Sequence, residues 1–301
     1  MNLRLNVQTT ATATTPTNAE SVACEEAARI ILSENRPFSM ETAACDEEYE
    51  PSSEYDSSFA LQIFAAREAV FKILAKESLS IHEKLIVILD MGSKIQQCIN
   101  TDEYDNIKSV VNDYLKEGIA HTLDETRNLS DSGQFEDISL QQGIRQILYP
   151  YEEMEVLNPE WEVILKDIID SLFEQMSDEE YNILNEEFGT YMVSRAYEYR
   201  QLLEYLVFRY FAKSIYDYDF LGKCQMLVTN FFVIRQMDII RWLDNHREYS
   251  FKDRMDVVHI FSRQVEYSED NIENLYEDFI FDDIFKTDSL IAILWIDSEN
   301  I

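Results

Sequence analysis

Glycine and proline are scarce in this chain, with 6 glycines and 5 prolines among 301 residues. Sheet proteins with many tight turns, and nucleotide-binding folds with phosphate loops, rely on these two residues. The glycines stand apart from one another and form neither a GxGxxG nor a GxxxxGKS/T motif, which excludes phosphate binding by those two loops. We therefore predict an all-α protein, an irregular multi-helix bundle, with a division into two helical subdomains as an open alternative.

Helical periodicity, and the breaks in it, divide the chain into four parts. We predict a flexible lead-in at 1–19, an N-terminal helical part at 20–127 with an acidic linker at 41–58, a C-terminal helical part at 138–287 and an apolar tail at 288–301. A cluster of serine, aspartate and glycine separates the two helical parts. The tail fits a strand, a helical turn or a partner-docking segment, because periodicity does not distinguish them.

Several helix starts are marked by capping residues. Ser80 precedes Glu83 and Ser177 precedes Glu180 by three positions, which is the spacing of a capping box, and Ser250 is a further N-cap. Apolar residues at helical spacing follow each of these positions. We predict that a helix begins at each of them.

Other residues predict helix ends and outer faces. Gly118 is expected to cap the end of one helix, and Pro150 is expected to terminate a later one. Arg235, Asp238 and Arg241 recur at intervals of three on a long helix. This spacing places them on one face, which we predict to be exposed to solvent.

The chain is strongly acidic, with 25 lysine and arginine residues against 58 aspartates and glutamates and a formal net charge of −33. Phosphate backbones and anionic membranes repel such a chain, so we expect neither nucleic acid nor membrane as a partner. No apolar run approaches the roughly 20 residues of a membrane-spanning helix, and no secretory leader follows Met1. We expect a cytoplasmic protein whose charge suits a lysine-rich partner.

The sequence carries no strong signature of a metal site or a catalytic nucleophile. Cys24, Cys45, Cys98 and Cys224 include no CxxC pair, and no two histidines lie four positions apart. No GxSxG motif occurs either. We predict no metal site and interpret Cys24 and Cys224 as reduced, buried thiols.

His259, Ser262, Arg263 and Glu266 have the spacing of one polar helical face. Because histidine titrates near neutral pH, His259 with Arg263 and Glu266 could act as a general acid–base set. A solvent-exposed face produces the same spacing, so both interpretations stay open.

The segment 197–219 combines tyrosines with charged residues inside an otherwise apolar helix that we expect to be enclosed by its neighbours. Arg200, Glu204 and Arg209 interrupt it, and unpaired charges in such a helix cost several kcal/mol. One interpretation pairs Glu204 with Arg200 or with another helix and leaves the tyrosines in the core. The other is a pocket of aromatic faces and carboxylates that binds a cationic side chain such as lysine.

If the segment forms such a pocket, its side chains are the candidates for catalysis and for substrate binding. Glu204 is the candidate catalytic residue, because a lysine ammonium must lose its proton before its nitrogen attacks a methyl group. The candidate substrate-binding residues are Tyr199, Tyr205, Arg209, Tyr210, Asp217 and Asp219. The two aspartates lie at a helix end where the dipole disfavours negative charge, so they indicate a loop or a partner, with simple solvation as the alternative.

Five segments resemble the flagellin lysine-N-methylase family: 22–32, 79–98, 202–219, 233–243 and 258–271. Each segment is generic alone, and their order and spacing together carry the resemblance, which runs from about Ser21 to Phe279. The resemblance implies a bacterial enzyme that transfers methyl groups from S-adenosylmethionine to lysine ε-amino groups of flagellin.

The same resemblance implies an iron–sulfur cluster held by a cysteine-rich N-terminal segment. No cysteine precedes Cys24 here, so we do not expect the cluster in this chain. The chain then resembles a truncated, split or cluster-less member, which puts catalysis in question. The alternative function is a non-catalytic, acidic helical module that binds flagellin or another lysine-rich protein.

Overall fold

The computed structural model describes residues 3–6, 25–35, 39–42, 57–131 and 138–299. Within these residues the chain folds into fourteen α-helices and one pair of short strands. The predicted all-α, multi-helix architecture is confirmed, and the strand pair is an unpredicted addition. Most of the predicted lead-in and acidic linker lies outside the described residues.

The secondary-structure elements are mainly helices, joined in several places by 3₁₀ or π turns with no intervening loop. The helices are α1 (Glu25–Leu32), α2 (Ser57–Leu74), α3 (Ile81–Asn100), α4 (Ile107–Asp113), α5 (Ile119–Asp131), α6 (Leu140–Glu152), α7 (Pro159–Ile168), α8 (Asp178–Met192), α9 (Ala196–Tyr210), α10 (Ser214–Asp217), α11 (Phe220–Asp244), α12 (Phe251–Phe261), α13 (Glu269–Phe281) and α14 (Thr287–Glu299). Strands β1 (Leu3–Asn6) and β2 (Ser39–Thr42) pair antiparallel, with Leu3 opposite Thr42.

The predicted capping boxes are present. Ser80 Oγ accepts a hydrogen bond from the Glu83 backbone N–H at 3.1 Å, and the Glu83 carboxylate accepts from the Ser80 N–H at 2.8 Å. Ser177 and Glu180 form the same reciprocal pair at the start of α8, and Ser250 caps α12. Each pair satisfies two backbone donors that a helix start otherwise leaves open.

Two predicted helix ends are wrong. Gly118 lies inside a continuous helical stretch, because the π turn Tyr114–Gly118 joins α4 directly to α5. A side chain at this position would approach the Asp113 carbonyl oxygen to 3.0 Å, so this close backbone approach favours glycine. Pro150 lies in the last turn of α6, which continues to Glu152, because a proline there removes a single helical hydrogen bond.

Helix α11 is the central element of the fold. It packs along α3, α9 and α12, and α14 packs along α3 on another side. Buried apolar residues from both predicted helical parts join one continuous core. The predicted apolar tail is the helix α14, which contributes Leu290, Ile293 and Leu294 to that core.

The enclosed position of α11 overturns the predicted solvent-facing side. Arg241, near the end of α11, is half-buried, but Arg235 and Asp238 are 3% and 0% exposed, because neighbouring helices cover α11 on nearly every side. Their charges are therefore paired inside the protein. Although α11 is 25 residues long, neither it nor any other described helix has the length and apolar composition to cross a membrane.

Candidate functional site

Helix α9 carries most of the candidate residues, and it is enclosed as predicted. It contacts α1, α2, α3 and α11. Its buried charged and aromatic side chains are Glu198, Tyr199, Glu204, Tyr205 and Tyr210. A buried carboxylate requires a cation or several hydrogen-bond donors, and the fold supplies a different set of partners to each group.

Three of the candidate residues meet at Glu266, in what we call the Glu266 cluster: Tyr205, Arg209, Tyr210 and Glu266. The hydroxyls of Tyr205 and Tyr210 donate to Glu266 Oε2 at 2.8 Å and 3.2 Å. Arg209 Nε lies 2.9 Å from the same oxygen and donates to the Tyr210 hydroxyl at 3.1 Å. One carboxylate oxygen therefore accepts two hydrogen bonds and forms an ion pair with Arg209.

The other oxygen of this carboxylate, Glu266 Oε1, is buried and meets no described donor in hydrogen-bond geometry, although the nearby Ser262 hydroxyl interacts with the carboxyl group and lowers its pKa. Burial raises the pKa of Glu266, while Arg209, Ser262 and the two tyrosines oppose the rise. A buried acceptor without a donor costs about 1–3 kcal/mol, so a ligand that brings a donor to Oε1 would be stabilised there. The Glu266 side chain is 1% exposed, whereas that of its partner Arg209 is 29% exposed, so the cluster reaches the surface through Arg209.

The sequence left two interpretations of the face with Glu266 open, and the solvent-exposed one does not hold for Ser262 and Glu266. Ser262 and Glu266 are buried, whereas Arg263 is exposed. The π turn Ser262–Glu266 follows α12, so the 3.6-residue spacing on which the sequence interpretation relies does not hold here.

Glu204 lies outside the Glu266 cluster and forms the predicted ion pair. Its Oε1 and Oε2 both accept from Arg200 Nη1, at 2.7 Å and 2.9 Å, and the residue is 2% exposed. Burial raises the pKa of Glu204, while Arg200 and Lys84 oppose the rise. A catalytic role for Glu204 stays a prediction, and both of its oxygens are already engaged by Arg200.

Tyr199 belongs to a third group of buried charges, centred on Arg254. The Tyr199 hydroxyl donates to Asp238 Oδ2 at 2.5 Å, and Tyr249 donates to the other oxygen of Asp238. Arg254 donates to Asp238 at 2.5 Å and to Glu198 at 2.9 Å, and it is 0% exposed. Asp238, which was predicted on a solvent-exposed face of α11, thus belongs to an internal charge network.

Asp217 and Asp219 bind a lysine of the chain itself. Lys223 Nζ lies 2.7 Å from an Asp217 oxygen, 3.5 Å from an Asp219 oxygen and 4.0 Å from the centre of the Tyr276 ring. Asp219 also accepts from the Gly222 N–H at 2.8 Å as the N-cap of α11, where the helix dipole favours negative charge. An aromatic face with two carboxylates therefore does hold a lysine here, but the lysine is internal.

The described cysteines, Cys98 and Cys224, are free and buried. Burial raises the pKa of both thiols, which disfavours the thiolate that metals and clusters require. In the part of the chain that the structure describes, no group of three or more His, Cys, Asp or Glu side chains could hold a metal ion. These residues do not fit an iron–sulfur cluster, and Cys24 and Cys45 lie outside the described part.

The family model of the FliB lysine N-methylase C-terminal domain matches residues 67–293, about three quarters of the chain. The matched range contains the Glu266 cluster, Glu204, the Arg254 network and Lys223 with its partners, whereas the segment 22–32 lies before it. No curated protein and no solved structure gives a match. The resemblance seen in the sequence is confirmed: the chain belongs to the FliB lysine N-methylase family and contains its C-terminal domain.

Proposed function

We propose that the chain is a flagellin lysine methylase, which transfers methyl groups from S-adenosylmethionine to lysine ε-amino groups of flagellin or another lysine-rich protein. The observation that carries the proposal is Glu266 Oε1, a buried carboxylate oxygen to which no described residue donates. Family membership supports the reaction class. The net charge of −33 supports a basic partner, since opposite charge speeds encounter. The cytoplasmic location and the bacterial source belong to the same proposal.

In this proposal Glu266 Oε1 receives the proton of the lysine ammonium. The nitrogen attacks a methyl group only as a neutral amine, so a base must take that proton first. Burial raises the pKa of Glu266, which makes its carboxylate a stronger base than an exposed glutamate. Tyr205, Arg209 and Tyr210 hold Oε2 and so fix the orientation of the carboxyl group.

S-adenosylmethionine supplies a methyl group on a positively charged sulfur, and the lysine nitrogen forms the new N–C bond as the C–S bond breaks and its electron pair goes to the sulfur. An unpaired, buried carboxylate oxygen fits either a sulfonium or an ammonium cation. Each described glycine lies within a helical stretch, and we assign no described residue to the adenosine or amino-acid part of the donor.

Every candidate carboxylate is paired with an internal cation, but Glu266 binds Arg209 through Oε2 alone, whereas the other candidates would have to release their cation before they could bind a substrate lysine. Glu204 would have to separate from Arg200, and Asp217 and Asp219 from Lys223. We therefore place the base at Glu266 and keep Glu204 as the competing assignment.

The test is a methyl-transfer assay with flagellin and labelled S-adenosylmethionine, run with and without a separately supplied cysteine-rich segment of the family. Glu266→Gln should lower the rate by about two to four orders of magnitude, the usual contribution of a general base. Glu273→Gln is the matched control, because Glu273 is an exposed glutamate on α13, and it should leave the rate unchanged.

Because Glu266→Gln also removes the charge partner of Arg209, Tyr205→Phe is the second variant. It deletes one hydroxyl that lowers the pKa of Glu266, so the rising limb of the pH–rate profile should move to higher pH. Full activity of Glu266→Gln, or a similar loss on Glu204→Gln alone, would overturn the assignment. Failure of the wild-type chain to transfer methyl groups even with the supplied segment would leave the acidic interaction module as the function.

A further inference from the structure

A groove opens where the second half of α8 meets the C-terminal end of α11, and we call it the α8–α11 groove. Its volume is about 550 Å³, and it is lined by residues including Ile183, Glu186, Glu187, Tyr191, Trp242 and Arg247. The α8 residues recur at helical spacing, which puts aromatic, apolar and acidic side chains on one face. None of these residues belongs to the Glu266 cluster.

The groove has a fixed aromatic wall. The rings of Tyr191 and Trp242 lie 5.6 Å apart between centroids, and Phe188 packs behind Trp242 at 5.5 Å. The Tyr191 hydroxyl accepts from the Tyr249 N–H at 2.9 Å, which holds the ring in place while 40% of the residue stays exposed. Trp242 is 3% exposed, and its indole N–H has no acceptor among the described residues.

A cation of the chain itself already occupies this wall. The guanidinium carbon of Arg247 lies 5.2 Å from the Trp242 ring centre, and its Nη1 lies 2.8 Å from a Glu187 oxygen. His246 and Arg247 both have left-handed backbone angles, with φ of 57° and 68°, a conformation that costs non-glycine residues about 1–2 kcal/mol each. The turn after α11 therefore has an unfavourable backbone conformation at the residue whose side chain, Arg247, lies over the Trp242 indole.

The Arg247 contact is weak enough to be exchanged. The side chains of Arg247 and Glu187 are 55% and 43% exposed, and ion pairs this exposed contribute little to stability. Glu186 adds a second exposed carboxylate to the rim of the groove. A cation bound in the groove would contact an aromatic face and two carboxylates. Lys223 has the same kinds of neighbours inside the protein, namely the Tyr276 ring and two aspartates.

We propose that the α8–α11 groove binds a lysine or arginine side chain of a partner polypeptide, which displaces Arg247 from the Trp242 and Tyr191 wall and pairs with Glu186 and Glu187. The net charge of the chain favours such a partner. Binding at this site does not require methyl transfer, so the two proposals are tested by different experiments.

The test is an NMR saturation-transfer titration of the full chain with a flexible Gly/Ser peptide that contains one lysine, one arginine or, as the neutral control, one glutamine. The lysine and arginine peptides should bind, more weakly as salt increases, and the glutamine peptide should not. Glu186→Gln should lower the affinity several-fold, whereas Glu273→Gln, which changes the net charge equally on α13, should not.

Variants of the wall separate this site from a simple acidic patch. Tyr191→Leu should lower the affinity about two- to fivefold, the usual effect of an exposed cation–π contact, whereas Tyr191→Phe should retain most of it. Arg247→Gln should increase the affinity, because it frees the indole face and Glu187. Equal binding of the lysine and glutamine peptides, an unchanged affinity in Tyr191→Leu, or weaker binding in Arg247→Gln would each overturn the proposal.

Discussion

Arg254 is a fully buried cation, and its replacement measures how strongly the internal charges hold the fold together. Its guanidinium donates to Glu198 and Asp238 and lies 4.4 Å from the Tyr199 ring. Arg254→Met keeps much of the side-chain volume. Glu198 would retain Arg195, which donates to it at 2.7 Å, but Asp238 would be left with two tyrosine hydroxyls and no cation.

The expected loss of stability follows from that remaining charge. Removing one partner of a buried pair costs about 3–5 kcal/mol, and we expect about 3 kcal/mol here because one of the two carboxylates keeps its cation. The double variant Arg254→Met/Asp238→Asn should lose less than the sum of the two single variants, since contacting pairs couple by about 0.5–3 kcal/mol. Lys252→Met is the control, because its pair with Asp256 is mostly exposed, and it should cost less than about 1 kcal/mol.

Urea unfolding followed by far-UV circular dichroism gives the free energy of unfolding for each variant. A loss below about 1 kcal/mol in Arg254→Met, similar to that in Lys252→Met, would refute the idea that the buried charges stabilise this arrangement. Additive losses in the double variant would show that Arg254 and Asp238 do not act as a pair.

Three further predictions concern other parts of the fold. Burial raises the pKa of Asp297, but Arg235 and His82 outweigh it and lower the pKa from 3.8 to about 2. Asp297 therefore stabilises the fold above about pH 4, and roughly 2 kcal/mol should be lost as the pH falls from 4 to 2. The free energy of unfolding of Asp297→Asn, measured by urea titration, should not show that loss between pH 4 and pH 2. Profiles of unfolding free energy against pH that run parallel in the variant and the wild type would contradict the prediction. Truncation before Thr287 removes α14 from the core and should abolish cooperative unfolding, so a sharp transition in the truncated chain would be a counterexample. Asp219→Ala should cost about 1 kcal/mol more than Asp219→Asn, because both variants remove the charge beside Lys223 but asparagine still caps α11, and equal losses would argue against that cap.

The helical class and most helix starts could be predicted because they depend on local chemistry. A serine three residues before a glutamate satisfies two backbone donors within one turn, as at Ser80 and Ser177. Gly118 and Pro150 misled the prediction, because each is tolerated when a π turn or a last helical turn surrounds it. Packing against other parts of the chain decides whether such a turn forms, and a local sequence pattern carries no information about that packing.

The candidate site could be predicted in part. Tyr205, Arg209 and Tyr210 were correctly grouped on one enclosed helix, but Glu266, which brings them together, lies 56 or more positions away along the chain. The pattern treated polar residues at helical spacing as exposed, and Asp238 fails this rule because its cation lies on another helix. Pairing between distant helices decides which charges are buried, and one sequence does not reveal it.

In the proposed function, Glu266 Oε1 accepts the hydrogen bond and then the proton of the substrate lysine. A crystal structure of the chain with a lysine-containing flagellin peptide and the reaction product S-adenosylhomocysteine would test it most directly. We predict the lysine nitrogen within hydrogen-bond distance of Oε1, with Oε2 still held by Tyr205, Tyr210 and Arg209. A lysine bound elsewhere, with Oε1 contacting only water or protein, would contradict the account.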